Sequence, residues 1–424
     1  MAAAAALGSS EHEVTILEAR PFPGGRATSY SLPGGEEAID NCQHILLRCC
    51  VNLLDFYQRL GVRGRINFHR ELYFLEPGGR CSVMKRGLLP APLHFAGSFV
   101  SLRFLSLREK AAVGRALLAL RRQRNRTDLD RITMLDWLRE QRQPPRAIER
   151  FWRQVLVSAI NEELEHMAAA HGFQVFWLGF LAARDSYEMG VPNVPLGELY
   201  SSAAWAALPR VQLRFRAPVR AIETEGRRIK SVRTDEGPLE ADHYISALPA
   251  DRVAALLPAL GIERDTFAPS PITGIHFWFD RPVTTLPHAT LLDRTLQWMF
   301  NKSEGRYLQL VVSASRSLTP LSRQEIIGLA LKELGEFFPA ARQARLERAE
   351  VVKEVHATFS ARPGLEALRP VAATRFANLS LAGDWTRTGW PATMEGAVRS
   401  GYMAAGHASR ALGAPRSYLL PDIA

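Results

Sequence analysis

Apolar positions recur along this chain with two periods, and each change of period marks an element. Residues 2–7 form a helix-favouring run that stops near Gly8, and residues 13–19 (EVTILEA) predict a short β-branched strand ending in an acid. Residues 27–32 and 37–39 read as strands around a Pro33-Gly34-Gly35 turn, leading into the polar cluster Asp40-Asn41-Cys42-Gln43-His44. From Ile45 to about Leu208, three- and four-residue spacing dominates and predicts helices over 46–60, 105–122, 133–142 and 147–172. Strand-like runs then return at 211–216, 219–225, 229–235, 243–247, 274–280, 308–313, 351–357 and 379–382. Helices are predicted over 324–338 and from about 392 to 412.

With 424 residues, 47% apolar and 23% charged, the composition is that of a globular chain of two or three domains. Cys42, Cys49, Cys50 and Cys81 make no C-x-x-C pair and no zinc spacing, so a reducing compartment, the cytoplasm, is expected. No run of 18 apolar residues occurs and residues 1–7 lack a basic leader, so neither membrane spanning nor export is expected. The net charge of +10 asks for an anionic partner. Between Lys85 and Arg126, ten Lys or Arg face one acid, Glu109, interleaved with Leu88, Leu89, Leu93, Phe95, Phe99, Leu102, Phe104 and Leu105. That pattern fits an anionic membrane surface, met peripherally at the inner face, or a solvated basic face over a buried apolar side. Nucleic acid is not expected, because no RNP, zinc-finger or basic-zipper pattern accompanies the charge.

Two segments carry candidate chemistry. The first strand ends in Glu18, followed by Arg20 and a Pro23-Gly24-Gly25-Arg26 turn, whose glycines let backbone approach a ligand and whose arginine offers donors to phosphate oxygens. Near the other end, Leu379–Ala382 leads into Gly383-Asp384-Trp385, then Gly389-Trp390-Pro391-Ala392-Thr393-Met394-Glu395-Gly396-Ala397, a strand, a turn, an aromatic loop and a helix start. A helix N-terminus suits a pyrophosphate or the negative charge of a reduced flavin.

Together these ends resemble the FAD-binding parts of the amine oxidase and phytoene desaturase superfamily. The strings Asp40-Asn41-Cys42-Gln43-His44, Ala159-Ile160-Asn161-Glu162, Gly190-Val191-Pro192 and the Gly383–Ala397 segment further resemble the hydroxysqualene dehydroxylase family, with likeness from residue 2 to about 412. The resemblance implies an α/β fold: a Rossmann-like three-layer FAD domain without its first strand, holding an inserted helical and mixed substrate domain. The expected boundaries are FAD domain 1–70, 209–260 and 371–424, a mainly helical substrate part 71–208, and a β-sheet part 261–370. It implies reduction of hydroxysqualene to squalene on the hopanoid route, with FAD as hydride carrier and NADPH or another reduced nicotinamide as electron source. Contact with other squalene-pathway enzymes would follow. Glu18 would take the adenosine ribose, Arg26 the pyrophosphate, and Asp384 ribityl or phosphate oxygens; Val219 would pass near adenine and Met394 to Ala397 would face the isoalloxazine.

Two departures stand out. The glycine turn of the superfamily is absent because the chain opens inside the following helix, and roughly fifteen to twenty-five residues would supply it. A start placed too far downstream is expected, against a chain that binds FAD poorly or a flavin-free lipid- or partner-binding relic. Cys42 stands where the family string has glycine, and there it either crowds the flavin or is tolerated by the turn. For chemistry, loss of the hydroxyl needs a hydride at carbon and a proton on the leaving oxygen. Asp40, Gln43 and His44 are the nearest polar candidates, with His44 a donor if it titrates near neutrality. Glu162 ranks second, as a general acid with a burial-raised pKa on a helix. Trp390 either walls the site or packs in the core. Desaturation or isomerisation of another polyprenoid, such as a carotenoid precursor, is the alternative activity.

Overall fold

Two pairs of parallel strands carry the two ends of the chain. In the computed structural model, which describes residues 1–31 and 38–423, strand Val14–Glu18 pairs with Val211–Phe215, and Tyr244–Ser246 pairs with Leu379–Leu381. The expected 33–35 turn and the adjoining tips of its two strands lie outside the described residues; Ser29–Ser31 and Ala38–Asp40 do pair, antiparallel. Small residues let helices close on these strands. A Cβ on Gly401 of helix Met394–Ala411 would stand 2.9 Å from Ala2 Cβ of helix Ala2–Gly8, and one on Gly8 would strike Val211. Around this contact Ala5, Leu53, Phe56, Leu199, Val398 and Tyr402 form one apolar core.

A seven-stranded sheet forms the second layer, in the order Leu346–Phe359, Pro269–Phe279, Tyr307–Ser313, Trp298–Ser303, His288–Leu291, Glu71–Leu75, Cys81–Lys85. Side chains alternate across it. Ile275, Phe277, Leu308 and Leu310 pack with Ile326, Ala330 and Leu334 of helix Arg323–Phe337. The opposite face carries His276, Gln309 and Phe300, partners across three adjacent strands. Helices Leu107–Gln123, Met134–Glu140, Gln154–Ile160 and Ala169–Phe176 build the third part around Trp137, Trp152, Phe173 and Phe176. Among the described residues no helix is long and apolar enough to cross a membrane.

The helix expected over 147–172 breaks at Asn161, which sits at φ 61°, a conformation asparagine tolerates. Its side chain donates to Ser270 O and Thr358 Oγ1 and accepts from Ala314 N, so tertiary bonds override the helical period. The helix expected over 46–60 starts only at Val51, because Leu46–Leu47 pairs with Met189–Pro192. Strands His288–Leu291 and Trp298–Ser303 are absent from the sequence reading, being short and irregular in their alternation.

Burial drives His171 and His276 down to about 4 and His288 to about 3. Unfolded histidines titrate near 6.5. Between those values the unfolded chain binds more protons, so stability falls as pH drops from about 6.5 towards 4. The melting temperature is expected to be lower at pH 5 than at pH 7.5; equal values would contradict the burial of these rings.

Candidate active site

The head and tail of the chain meet at one ion pair. Arg26 Nη2 donates to Asp384 Oδ2 at 2.6 Å, and Arg26 Nη1 to Ala357 O at 2.6 Å. The turns on both sides require glycine. Gly24 (φ 114°) would drive a Cβ to 2.5 Å from Ala27 O, and Gly383 (φ 126°) would drive one to 2.5 Å from Trp385 Nε1. Gly25 opens onto free space. Glu18 accepts from its own loop at Arg20 N, and Arg20 Nη1 donates to Gly25 O, which folds the acid and the glycine turn together. Ala217 N donates to Glu18 O, so the segment carrying Val219 runs past the end of that strand.

Thr393 caps helix Met394–Ala411 by accepting from Gly396 N at 3.0 Å. A Cβ on Gly396 would meet Pro391 O at 2.5 Å. The side chains of this turn are committed to the protein. Glu395 is fully buried and accepts from Asn52 Nδ2 at 2.8 Å and Leu53 N at 2.7 Å, capping helix Val51–Arg59. Burial pushes its carboxyl up, against these donors. Met394 Sδ accepts from Tyr57 OH. Trp390 packs with Cys49 and Leu178 and donates to Asp422 Oδ1, a core position. Gly396 N and Ala397 N are held by Thr393, so what this turn leaves for a ligand is the backbone of Met394 and Glu395, at the positive end of a helix dipole.

The turn Asp40-Asn41-Cys42-Gln43-His44 holds a second cluster. Buried Asp40 accepts from Ser29 Oγ and Leu196 N through Oδ1, and from Lys302 Nζ at 3.3 Å through Oδ2. Gln43 Oε1 accepts from the same ammonium at 3.0 Å. Cys42 lies within the largest apolar cluster, with Phe74, Phe104, Phe151 and Phe300. Burial pushes its thiol up to about 12, so it is an apolar filler and no nucleophile. Asn41 donates to Arg26 O and Glu354 Oε2, linking this turn to the ion pair.

Two candidates for proton donor need correction. His44 Nδ1 bonds Cys42 O at 2.9 Å; a carbonyl only accepts, so Nδ1 carries the hydrogen and Nε2 is left an acceptor. Burial lowers its pKa, and at neutral pH the ring has no acidic proton to give. Glu162 does not lie on a helix; it follows Asn161 beyond the helix end. Burial pushes its carboxyl up, but the two-pronged contact with Arg316 at 2.7 Å, with Ser360 and Glu163 N, outweighs that. The carboxyl ends below its ordinary range and is an anion, not a general acid.

Lys302 escaped the sequence reading: it sits where the register of strand Trp298–Ser303 shifts, so alternation along the strand does not announce its reach to Asp40 and Gln43. Arg369 also escaped it. Its guanidinium is 1% exposed and donates to the carbonyls of Asp384, Trp385, Thr386 and Trp390, with Glu366 as counter-ion. It draws the aromatic loop into one shape.

The groups at hand suit a flavin dinucleotide: an accepting acid at a strand end, an arginine beside a glycine turn, and a helix N-terminus at the positive end of its dipole. The sequence profile of the flavin containing amine oxidoreductases matches residues 1–408, and the chain belongs to that family. It is similar, at 28% identity over 96% of this chain and 95% of the relative, to the hydroxysqualene dehydroxylase of Zymomonas mobilis. At 25% identity it is similar to the 15-cis-phytoene desaturase of Synechococcus elongatus, over 94% of this chain and 91% of that one. An oxidoreductase structure from Methanosarcina mazei shares the fold, with a TM-score of 0.70 at 17% identity, covering 94% of this chain and 96% of that one. The chain is thus a FAD-dependent oxidoreductase of the phytoene desaturase and hydroxysqualene dehydroxylase type.

Proposed function

We propose that this protein reduces hydroxysqualene to squalene, with NADPH or another reduced nicotinamide as the electron source. In this reading Glu18 holds the adenosine ribose, Val219 passes the adenine, and Arg26, Gly24, Gly25, Gly383 and Asp384 surround the phosphates and ribityl chain. The turn Met394 to Ala397 faces the ring and offers it the N–H groups of Met394 and Glu395, those of Gly396 and Ala397 being held by Thr393. Reduced FAD, when bound, supplies hydride to the substrate carbon.

The observation that carries the reading is the Lys302 ammonium, held by Asp40 and Gln43 against the edge of the largest apolar cluster. Breaking a C–O bond needs a proton for the departing oxygen, whereas desaturating a hydrocarbon needs a group that takes one away. Lys302 gives its proton to the oxygen, the bonding pair leaves with that oxygen as water, and the amine recovers a proton from solvent. Asp40 and Gln43 orient the ammonium.

The test is direct. Flavin-loaded protein, hydroxysqualene and NADPH are expected to yield squalene, read by gas chromatography. No squalene, with phytoene or another carotenoid precursor consumed instead, would favour the desaturase reading that the 25% identity to phytoene desaturase supports. A protein that purifies colourless and takes up no FAD would favour a flavin-free relic.

The same reading puts the substrate within a bilayer. Of the basic stretch, Leu102, Phe104 and Leu105 are buried, but Leu88 is 96%, Leu93 56% and Val100 63% exposed. Beside them Lys85, Arg86 and Arg103 line a cleft of about 510 Å³ with Ser98 and Ser101. Apolar tips ringed by cations match an anionic lipid surface. Leu88→Asp with Leu93→Asp is expected to lower co-sedimentation with phosphatidylglycerol vesicles at least about fivefold. Equal sedimentation of variant and parent would remove this surface as the contact.

A further inference from the structure

The sheet face turned away from helix Arg323–Phe337 carries polar atoms without partners. Gln309 and His276 stand directly opposite each other on adjacent antiparallel strands, and both side chains are 0% exposed. Neither Nε2 nor Oε1 of Gln309 has a hydrogen-bond partner, and neither does His276 Nε2, whose Nδ1 is engaged with Tyr307 OH at 2.8 Å. Their surroundings are apolar on one side. Phe300, the cross-strand partner of Gln309, and Val311, two residues along the same strand, belong to the cluster that holds Cys42.

On the other side lies the polar turn. A Cβ on Gly274 would stand 3.8 Å from His276 Nε2, 3.4 Å from Asn41 O and 3.8 Å from Cys42 Cα, so the orphaned ring nitrogen approaches the Asp40–His44 turn. Asp40 and Lys302 both act electrostatically on His276. Burying three unpartnered polar atoms is costly, and leucine or phenylalanine would fill such a face without that cost.

We infer that Gln309 and His276 form a seat for a single hydroxyl on a long apolar molecule, beside Lys302. A hydroxyl offers one donor and two acceptor lone pairs. The Gln309 amide N–H can donate to it while Gln309 Oε1 or His276 Nε2 accepts its hydrogen. A hydrocarbon of the same shape leaves all three atoms unmet, so the seat discriminates an alcohol from the alkene it becomes. The inference rests on the dehydroxylation reading for the identity of the alcohol, and its geometry stands apart from it.

The experiment measures equilibrium binding of radiolabelled hydroxysqualene and squalene to oxidised, flavin-loaded full-length protein without reductant, so that nothing turns over. The parent is expected to prefer the alcohol by about tenfold or more, as sites built around a hydroxyl do. Gln309→Leu and His276→Leu are each expected to lose that preference, keep squalene affinity, and melt no lower than the parent. No preference in the parent, or a preference kept by both variants, overturns the seat and leaves these atoms to structural water. Full-rate squalene formation by both variants overturns the seat and keeps the dehydroxylation reading. An alcohol preference without squalene formation on adding NADPH keeps the seat and overturns that reading.

Discussion

Lys302→Arg is expected to leave the protein folded and yellow while turnover of hydroxysqualene falls roughly 10²–10⁴-fold, the range for loss of a general acid. Arginine preserves the ion pair with Asp40, which matters because that carboxylate is buried and would otherwise lose a cation held at 3.3 Å. It does not release its proton under working conditions. Lys302→Met removes both functions, and its melting temperature is expected to drop along with its rate. The comparison separates charge from proton. If Lys302→Arg retains turnover within about threefold while Lys302→Met does not, the ammonium serves as a charge and the acid must be sought elsewhere.

Arg369→Met is expected to cost about 3–5 kcal/mol of stability and to strip the purified protein of most of its flavin. One guanidinium satisfies four carbonyls of the 384–390 loop and pairs with Glu366, and methionine satisfies none of them. Asp384 and the start of helix Met394–Ala411 lie on or just after that loop, so its collapse reaches the proposed flavin-binding side directly. Scanning calorimetry and the ratio of flavin to protein absorbance read the two effects. An unchanged melting temperature with unchanged flavin content would mean that the loop keeps its shape unaided.

What the sequence disclosed is what local chemistry dictates. Gly24 and Gly383 announce turns because their backbone leaves no room for a side chain, and strands 14–18 and 211–215 follow from short β-branched runs. The meeting of Arg26 with Asp384 was legible through resemblance, although the two are 358 residues apart. Lys302 was not, because its approach to Asp40 is set by the register of a sheet whose strands 288–291 and 298–303 give weak signals. His276 and Gln309 are opposed by that same register. Glu162 illustrates the converse. An acid on an apolar helix suggests a raised pKa, and only the fold reveals the helix end before it and Arg316, 154 residues further on, which makes it an anion.

Helix Val51–Arg59 is strapped at its start and its middle to helix Met394–Ala411: Glu395 holds Asn52 and Leu53, and Tyr402 donates to Asp55 Oδ2. An early segment thus waits for partners made among the last. While the ribosome is still at work, strand partners arrive from residues 189–215, but the side of helix Val51–Arg59 that Val398 and Tyr402 cover stays open until synthesis is nearly done. A nonsense codon anywhere before residue 395 would therefore remove the straps and the cover of that helix together, exposing apolar surface to chaperones and proteases.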